Sequence, residues 1–291
     1  MAPIQVDSAV EKDDLFIPLI DFSQYTSGTP QERLNAAAAL LSGFQRAGFV
    51  YLKNHGISPS TVRSVFSHSA QFFTRPQEQK DALAWYSPRA NRGYVAHGRE
   101  KVTRADFAGD VEALRQAVPD LKESLEIGRE GEEGCPNMWP DRFGDEEGRE
   151  FREVMEGFHG RCSLTLLFQD DRGGLQVLSP KGTFVDATPI PDTIVVNAGD
   201  LLERWANDTI KSTKHRVVEP PPKPGQEGLD KYPARYSVAY FCNPDFDKVI
   251  EAIPGTYEEG KQKYPSVLSG DYLAKRLSET YGDLDKYELK K

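Results

Sequence analysis

Between Ser163 and Cys242 the chain alternates short strand-forming runs with turn signals, and this most restricts what it can fold into. The runs are Ser163–Phe168, Leu175–Val177, Thr183–Val185, Thr193–Asn197, Lys214–Val218 and Arg235–Cys242. Each is rich in leucine, β-branched or aromatic residues, and Gly, Pro, Asn and Asp lie between them. Helices need longer periodic stretches, so runs this short and this closely spaced predict an all-β sandwich or barrel. Asp170-Asp171-Arg172-Gly173-Gly174 reads as a hairpin turn, with Leu175-Gln176-Val177 as its return strand. Pro220-Pro221-Pro222 reads as a stiff connector before the last strand.

The first half reads as helices around a little strand. Ile17–Phe22 is a short extended entry. Thr29-Pro30-Gln31-Glu32 then carries the signature of a helix start, with Thr as cap, Pro in the first turn and Glu placed to close a capping box. That helix runs through Ala36–Leu41 and stops near Gly48. Phe49-Val50-Tyr51-Leu52 is a buried strand, and Asn54-His55-Gly56 is a turn. A second helix starts at Ser58-Pro59 and ends before Arg75-Pro76. Residues 85–144 read as irregular. From about Asp145, Phe151, Val154, Met155 and Phe158 fall on one helical stripe. The tail, Tyr257–Lys291, reads as short helices.

Charge and cysteine usage exclude several classes. The net charge of −9 comes from 36 basic and 45 acidic residues, and no basic stripe interrupts it, so nucleic acid is not an expected partner. No apolar run approaches the length of a membrane helix. Met1–Phe16 has neither a basic region nor an apolar core, so a secretory signal is not expected. Cys135, Cys162 and Cys242 are odd in number and far apart. They suit neither a disulfide framework nor a zinc cluster, and the expected location is the reducing cytoplasm.

Among the five histidines, His55 in its turn and His68 in mid-helix read as structural, and His97 lies in a loop. His215 differs, because it sits on a short strand of the β-rich half. Twenty residues on, Arg235 and Ser237 share one face of another strand by alternation. A guanidinium beside a hydroxyl suits a carboxylate. A histidine near a carboxylate-binding arginine is what an Fe(II) and 2-oxo-acid site requires. A lone strand histidine is more often a core or surface residue, so spacing leaves both readings open.

Taken in order, several segments resemble the isopenicillin N synthase-like branch of the Fe(II)/2-oxoglutarate-dependent dioxygenases. They are Ile17–Phe22, Gly48–Ile57, Arg92-Gly93-Tyr94, Asp120-Leu121-Lys122-Glu123, Asn137-Met138-Trp139-Pro140 and Leu164–Val177, then Asn197–Leu202 with Ser212–Val217, and Arg235–Phe241. The resemblance implies an α+β, mainly β fold. A double-stranded β-helix, or jelly roll, would span 161–291 with a helical tail, and an N-terminal helical region would span 1–160. It implies Fe(II) held by His215, and 2-oxoglutarate held at its distal carboxylate by Arg235 and Ser237. The product would be an oxidised small molecule, by hydroxylation, desaturation or ring closure, of the kind made in secondary metabolism. Substrate and oligomeric state stay open.

One departure is large. The family binds iron through two histidines and a carboxylate, the first pair arriving as His-x-Asp just before the strand that matches Ser163–Phe168. Here that place holds Phe158-His159-Gly160-Arg161-Cys162. His159 is out of register by one, and no carboxylate follows it. Asp170, Asp171, Asp200 and Glu203 are substitutes by residue type, but they read as turn residues. The elements expected between the helix and this strand amount to on the order of fifty residues. The expectation is an incomplete jelly roll and an impaired enzyme that lacks two of three iron ligands. The alternatives are a non-catalytic relative that binds a small carboxylate or a partner, or a truncated splice or gene-model product joined at Cys162–Ser163.

Overall fold

The structure is a computed structural model that describes residues 6–98, 122–159, 165–220, 222 and 233–281. The chain divides into two compact units. One comprises Met1–Phe66, Cys162–Asn243 and Ile250–Ser266, and the other Ser67–Arg161, Pro244–Val249 and Val267–Lys291. In chain order the strands are β1 (Asp7–Lys12), β2 (Leu15–Asp21), β3 (Phe49–Lys53), β4 (Gly93–Val95), β5 (Ser124–Glu126) and β6 (Thr165–Gln169). They continue with β7 (Leu175–Leu178), β8 (Phe184–Asp186), β9 (Ile194–Asn197), β10 (His215–Val217) and β11 (Ser237–Tyr240).

The first unit is built on two sheets. One has the order β1-β2-β3-β9-β6-β11 and the other β10-β7-β8. Their inner faces share one core. Val10, Leu15, Ile17, Phe49, Tyr51 and Val195 come from the larger sheet, and Leu175, Val177 and Val185 from the smaller. β2 and β3 run parallel, with Leu19 opposite Tyr51, so a crossover is required between them. The Pro30–Arg46 helix supplies it. The capping box forms as its sequence dictates: Glu32 N–H donates to Thr29 Oγ1 at 3.3 Å, and Thr29 N–H donates to Glu32 Oε2 at 2.7 Å. The helix buries Ala36, Ala39, Gly43 and Phe44. A Cβ on Gly43 would strike Val50 and Pro18, so glycine is what lets the helix lie this close to β2 and β3.

The segment 170–174 corrects the hairpin expectation. β6 pairs with β9 on one side and β11 on the other, and β7 pairs with β10 and β8. Both edges of β6 are therefore occupied, and the chain leaves its sheet to begin the other. Gly173 and Gly174, at φ 80° and 91°, permit that exit because the left-handed region costs glycine little. The segment after Asn197, expected as a turn, is a helix over Asp200–Trp205.

In the second unit the described residues of the 85–144 stretch are more regular than their composition suggests. β4 and β5 pair antiparallel, with Gly93 opposite Glu126. The buried Lys80 ammonium lies 2.8 Å from the Glu123 carboxylate, which also accepts from the Tyr94 hydroxyl. The Glu146–His159 helix buries Phe151, Met155 and Phe158, as its stripe predicts, and leaves Val154 half-buried. Phe72 packs on Phe151 with ring centroids 5.1 Å apart. Among the described residues the tail, expected as short helices, holds one helix, Ser269–Tyr281. The expected junction at Cys162–Ser163 lies outside the described residues. So do Gly160, Arg161 and the side chain of His159.

Candidate carboxylate-binding site

β11 lies at the edge of the larger sheet, with Ser237 opposite Gln169 of β6. The pairing continues past the strand ends. Asp170 N–H donates to the Tyr236 carbonyl at 3.2 Å, and the Asp170 carboxylate accepts from Tyr236 N–H at 2.6 Å. Its other oxygen accepts from Arg172 N–H at 3.0 Å, closing a turn. That turn presents the Gly173 carbonyl, which accepts from Arg235 Nε at 2.6 Å. Arg235 Nη1 donates to Ser237 Oγ at 3.4 Å. The structure thus brings the predicted pair together on one strand face. The guanidinium is half-buried. Burial lowers its pKa from the ordinary value, and the negative charge of Asp170 partly opposes this. Among the described residues no carboxylate forms an ion pair with it; its bonds are to a carbonyl and a hydroxyl. A charged fork with these neutral partners has the chemistry to take an anion.

His215 opens β10, opposite Val177 of β7, and is exposed. Its ring meets Phe49 edge-on at 5.4 Å between centroids. His215 Nδ1 lies 3.1 Å from the Thr213 carbonyl. A carbonyl only accepts, so Nδ1 carries the proton, and in the neutral ring Nε2 keeps its lone pair. That is the tautomer of a histidine ready to ligate a metal through Nε2. The 173–174 loop ties the two predicted elements together. Val218 N–H, just past β10, donates to the Gly174 carbonyl at 2.9 Å, next to the carbonyl that holds Arg235.

The substitute ligands are engaged elsewhere or lie apart. Among the described residues no group of three His, Cys, Asp or Glu side chains is placed to hold a metal ion. Asp200 Oδ1 accepts from Leu201 N–H at 2.9 Å, and Glu203 Oε1 from Ser212 N–H at 2.9 Å. His55 serves its turn: Nδ1 accepts from Ile57 N–H at 3.2 Å, and burial lowers its pKa. Its ring lines a cavity of about 320 Å³ with Phe168, Asp170 and Asp192, among others. Asp170 is the residue that sequence reasoning misplaced. It reads as a solvated turn residue, yet it is half-buried and bonded to the Arg235–Ser237 segment. An Asp at the head of the Asp170–Gly174 turn is the signal for a side chain that bonds its own backbone two residues on.

Two family models match the chain. Residues 17–142 match the non-haem dioxygenase in morphine synthesis N-terminal family, and residues 145–244 match the 2OG-Fe(II) oxygenase superfamily. A 2-oxoglutarate-Fe(II) type oxidoreductase, ppzD of Metarhizium rileyi, is 30% identical over 90% of this chain and 91% of its own length. A 2-oxoglutarate-dependent dioxygenase, frbA of a Dothideomycetidae species, is 28% identical over 82% and 88%. A full-length Neurospora crassa protein crystallised with alpha-KG and thymine is 44% identical, with a TM-score of 0.84, over 94% of this chain and 99% of that one. The alignments also carry a deficit. The first has 332 positions, but 90% of 291 residues supplies only about 262 of them, so about 70 positions face no residue of this chain. The second has 302 positions against about 239 residues, leaving about 63 unmatched.

Proposed function

We propose, for a chain that belongs to the 2OG-Fe(II) oxygenase superfamily, that Arg235 and Ser237 hold the distal carboxylate of 2-oxoglutarate and that His215 is the iron-ligating side chain this sequence retains. Fe(II) and 2-oxoglutarate are the family's cofactor and co-substrate, and its members are oxidoreductases. The observation that carries the reading is the half-buried Arg235 guanidinium, without an ion pair among the described residues and with its Nη1 on the Ser237 hydroxyl. The tautomer of His215 supports the metal role. The substrate is a small molecule, and the thymine bound by the Neurospora crassa protein favours a small heterocycle. The product is hydroxylated, desaturated or ring-closed. We place the jelly roll at 161–291 and the helical region at 1–160. No helix among the described residues is long and apolar enough to cross a membrane, and three cysteines far apart in the sequence favour the cytoplasm.

The described residues do not fit an iron held by three protein ligands. We read it as lacking an internal segment between the Glu146–His159 helix and β6, where residues 160–164 alone intervene. Three observations favour this. No metal-ligating trio exists among the described residues. The relatives carry some 60 to 70 aligned positions without a counterpart here. And β10, at the margin of its sheet, is exposed at all three residues, with Val217 58% exposed, as a strand missing its neighbour would be. A transcript sequence read across 158–165 tests this: an in-frame insert encoding His-x-Asp supports it, and a continuous frame without one sinks it. In that second case the preserved anchor favours a non-catalytic protein that binds a small carboxylate. Titration of the purified chain with Fe(II) and 2-oxoglutarate separates the two.

A further inference from the structure

Asp170 has no part in the iron and co-substrate assignments, yet its contacts converge on the segment that carries both co-substrate residues. We propose that Asp170 is a positioning residue that sets the Arg235–Ser237 pair for carboxylate binding; this rests on the anchor reading of Arg235. Tyr236 lies between the pair, and its N–H is held by the Asp170 carboxylate at 2.6 Å, while its carbonyl accepts from Asp170 N–H at 3.2 Å. Pinning that residue on both sides fixes the backbone that aims Arg235 and Ser237 to one face. The second carboxylate oxygen holds Arg172 N–H at 3.0 Å. It shapes the turn that delivers the Gly173 carbonyl to Arg235 Nε at 2.6 Å. One carboxylate therefore fixes both the strand that carries the guanidinium and the acceptor that orients it. With Nε on Gly173 and Nη1 on Ser237, the remaining donors of the fork are presented in one orientation.

Geometry and charge predict opposite effects at this residue. The negative charge of Asp170 acts on Arg235 and opposes an incoming carboxylate. If Asp170 mattered through charge alone, any neutral replacement would strengthen binding. If it acts by positioning, Asp170→Ala weakens binding, and Asp170→Asn, which keeps one acceptor oxygen but sets an NH2 donor against the other backbone N–H, recovers it only in part.

The test is calorimetric titration of the full chain with 2-oxoglutarate, together with hydrogen exchange at the Tyr236 amide without ligand. Asp170→Ala is expected to lose protection at that amide and to bind about tenfold more weakly, the scale of one lost charged hydrogen bond. Asp170→Asn is expected to bind more weakly than the native chain and more tightly than Asp170→Ala. Unchanged binding by Asp170→Ala alongside loss in Arg235→Ala overturns the positioning role and leaves the anchor standing. Equal behaviour of the native chain and Arg235→Ala overturns the anchor and the positioning role with it. Where Asp170→Ala fails to fold, a folded Asp170→Asn that binds as tightly as the native chain or more tightly overturns the proposal, because charge alone then accounts for the effect.

Discussion

Arg235 and His215 differ in how their side chains are held. Arg235 has two of its nitrogens committed, Nε to the Gly173 carbonyl and Nη1 to Ser237 Oγ, so its remaining donors are already aimed. A lysine there would bring a point charge on a flexible stem without the rigid fork. Arg235→Lys is therefore expected to weaken 2-oxoglutarate binding by roughly ten- to a hundredfold, the range spanned by one or two charge-assisted hydrogen bonds. Calorimetric titration checks this, and unchanged affinity would remove Arg235 from the site. His215 is held through Nδ1 by the Thr213 carbonyl on an exposed strand. With Nδ1 on that carbonyl, the Nε2 lone pair of the neutral ring is left for a metal.

Elements show which sequence signals were sufficient. The capping box at Thr29 and Glu32 was legible because all its partners lie within four residues, and it forms as read. Thr29→Ala is expected to cost about 1 kcal/mol of stability, the usual worth of such a cap, measurable in urea unfolding. Arg235 beside Ser237 was legible for the same reason, since alternation is local. The course of the chain after β6 was not. Period-two patterning marks Leu175 and Val177 as buried in either sheet, and only the occupied edges of β6 decide between them. Asp170 was misread because its decisive partner, Tyr236, lies far along the chain. The start of the Glu146–His159 helix was also legible. Asp145 caps it, accepting from Gly148 N–H at 2.6 Å, and pairs with the buried Arg75 side chain at 2.7 Å. The hydrogen bond from Arg75 is the main cause that brings the Asp145 carboxyl down to about 2. A depressed carboxyl pKa stabilises the fold above its unfolded value near 4, and that contribution is lost as pH falls towards 2. Between those limits the melting temperature of the native chain should fall more steeply than that of Asp145→Asn. Parallel curves would show that the pair contributes nothing.

For the whole molecule, the proposed co-substrate anchor stands in a chain with no metal-ligating trio among its described residues. The core is filled, both sheets form, and the Arg235–Ser237 pair is in place. Iron catalysis in this family needs the metal held by several ligands with positions left open. A single imidazole leaves Fe(II) mostly to water, so it should be weakly held and readily exchanged. 2-Oxoglutarate would keep its anchor at one end and lose its hold on the metal at the other, so its affinity should fall too. The purified chain is therefore expected to bind less than one equivalent of iron after desalting and to form no succinate from 2-oxoglutarate above background. Inserting a relative's segment that carries His-x-Asp ahead of Ser163 should raise iron content and 2-oxoglutarate affinity together, because both deficits have one cause. A rise in one without the other would separate the causes and count against a single missing segment. Iron-dependent succinate formation by the unaltered chain, abolished by His215→Ala, would show that a side chain outside the described residues, such as His159, completes the site.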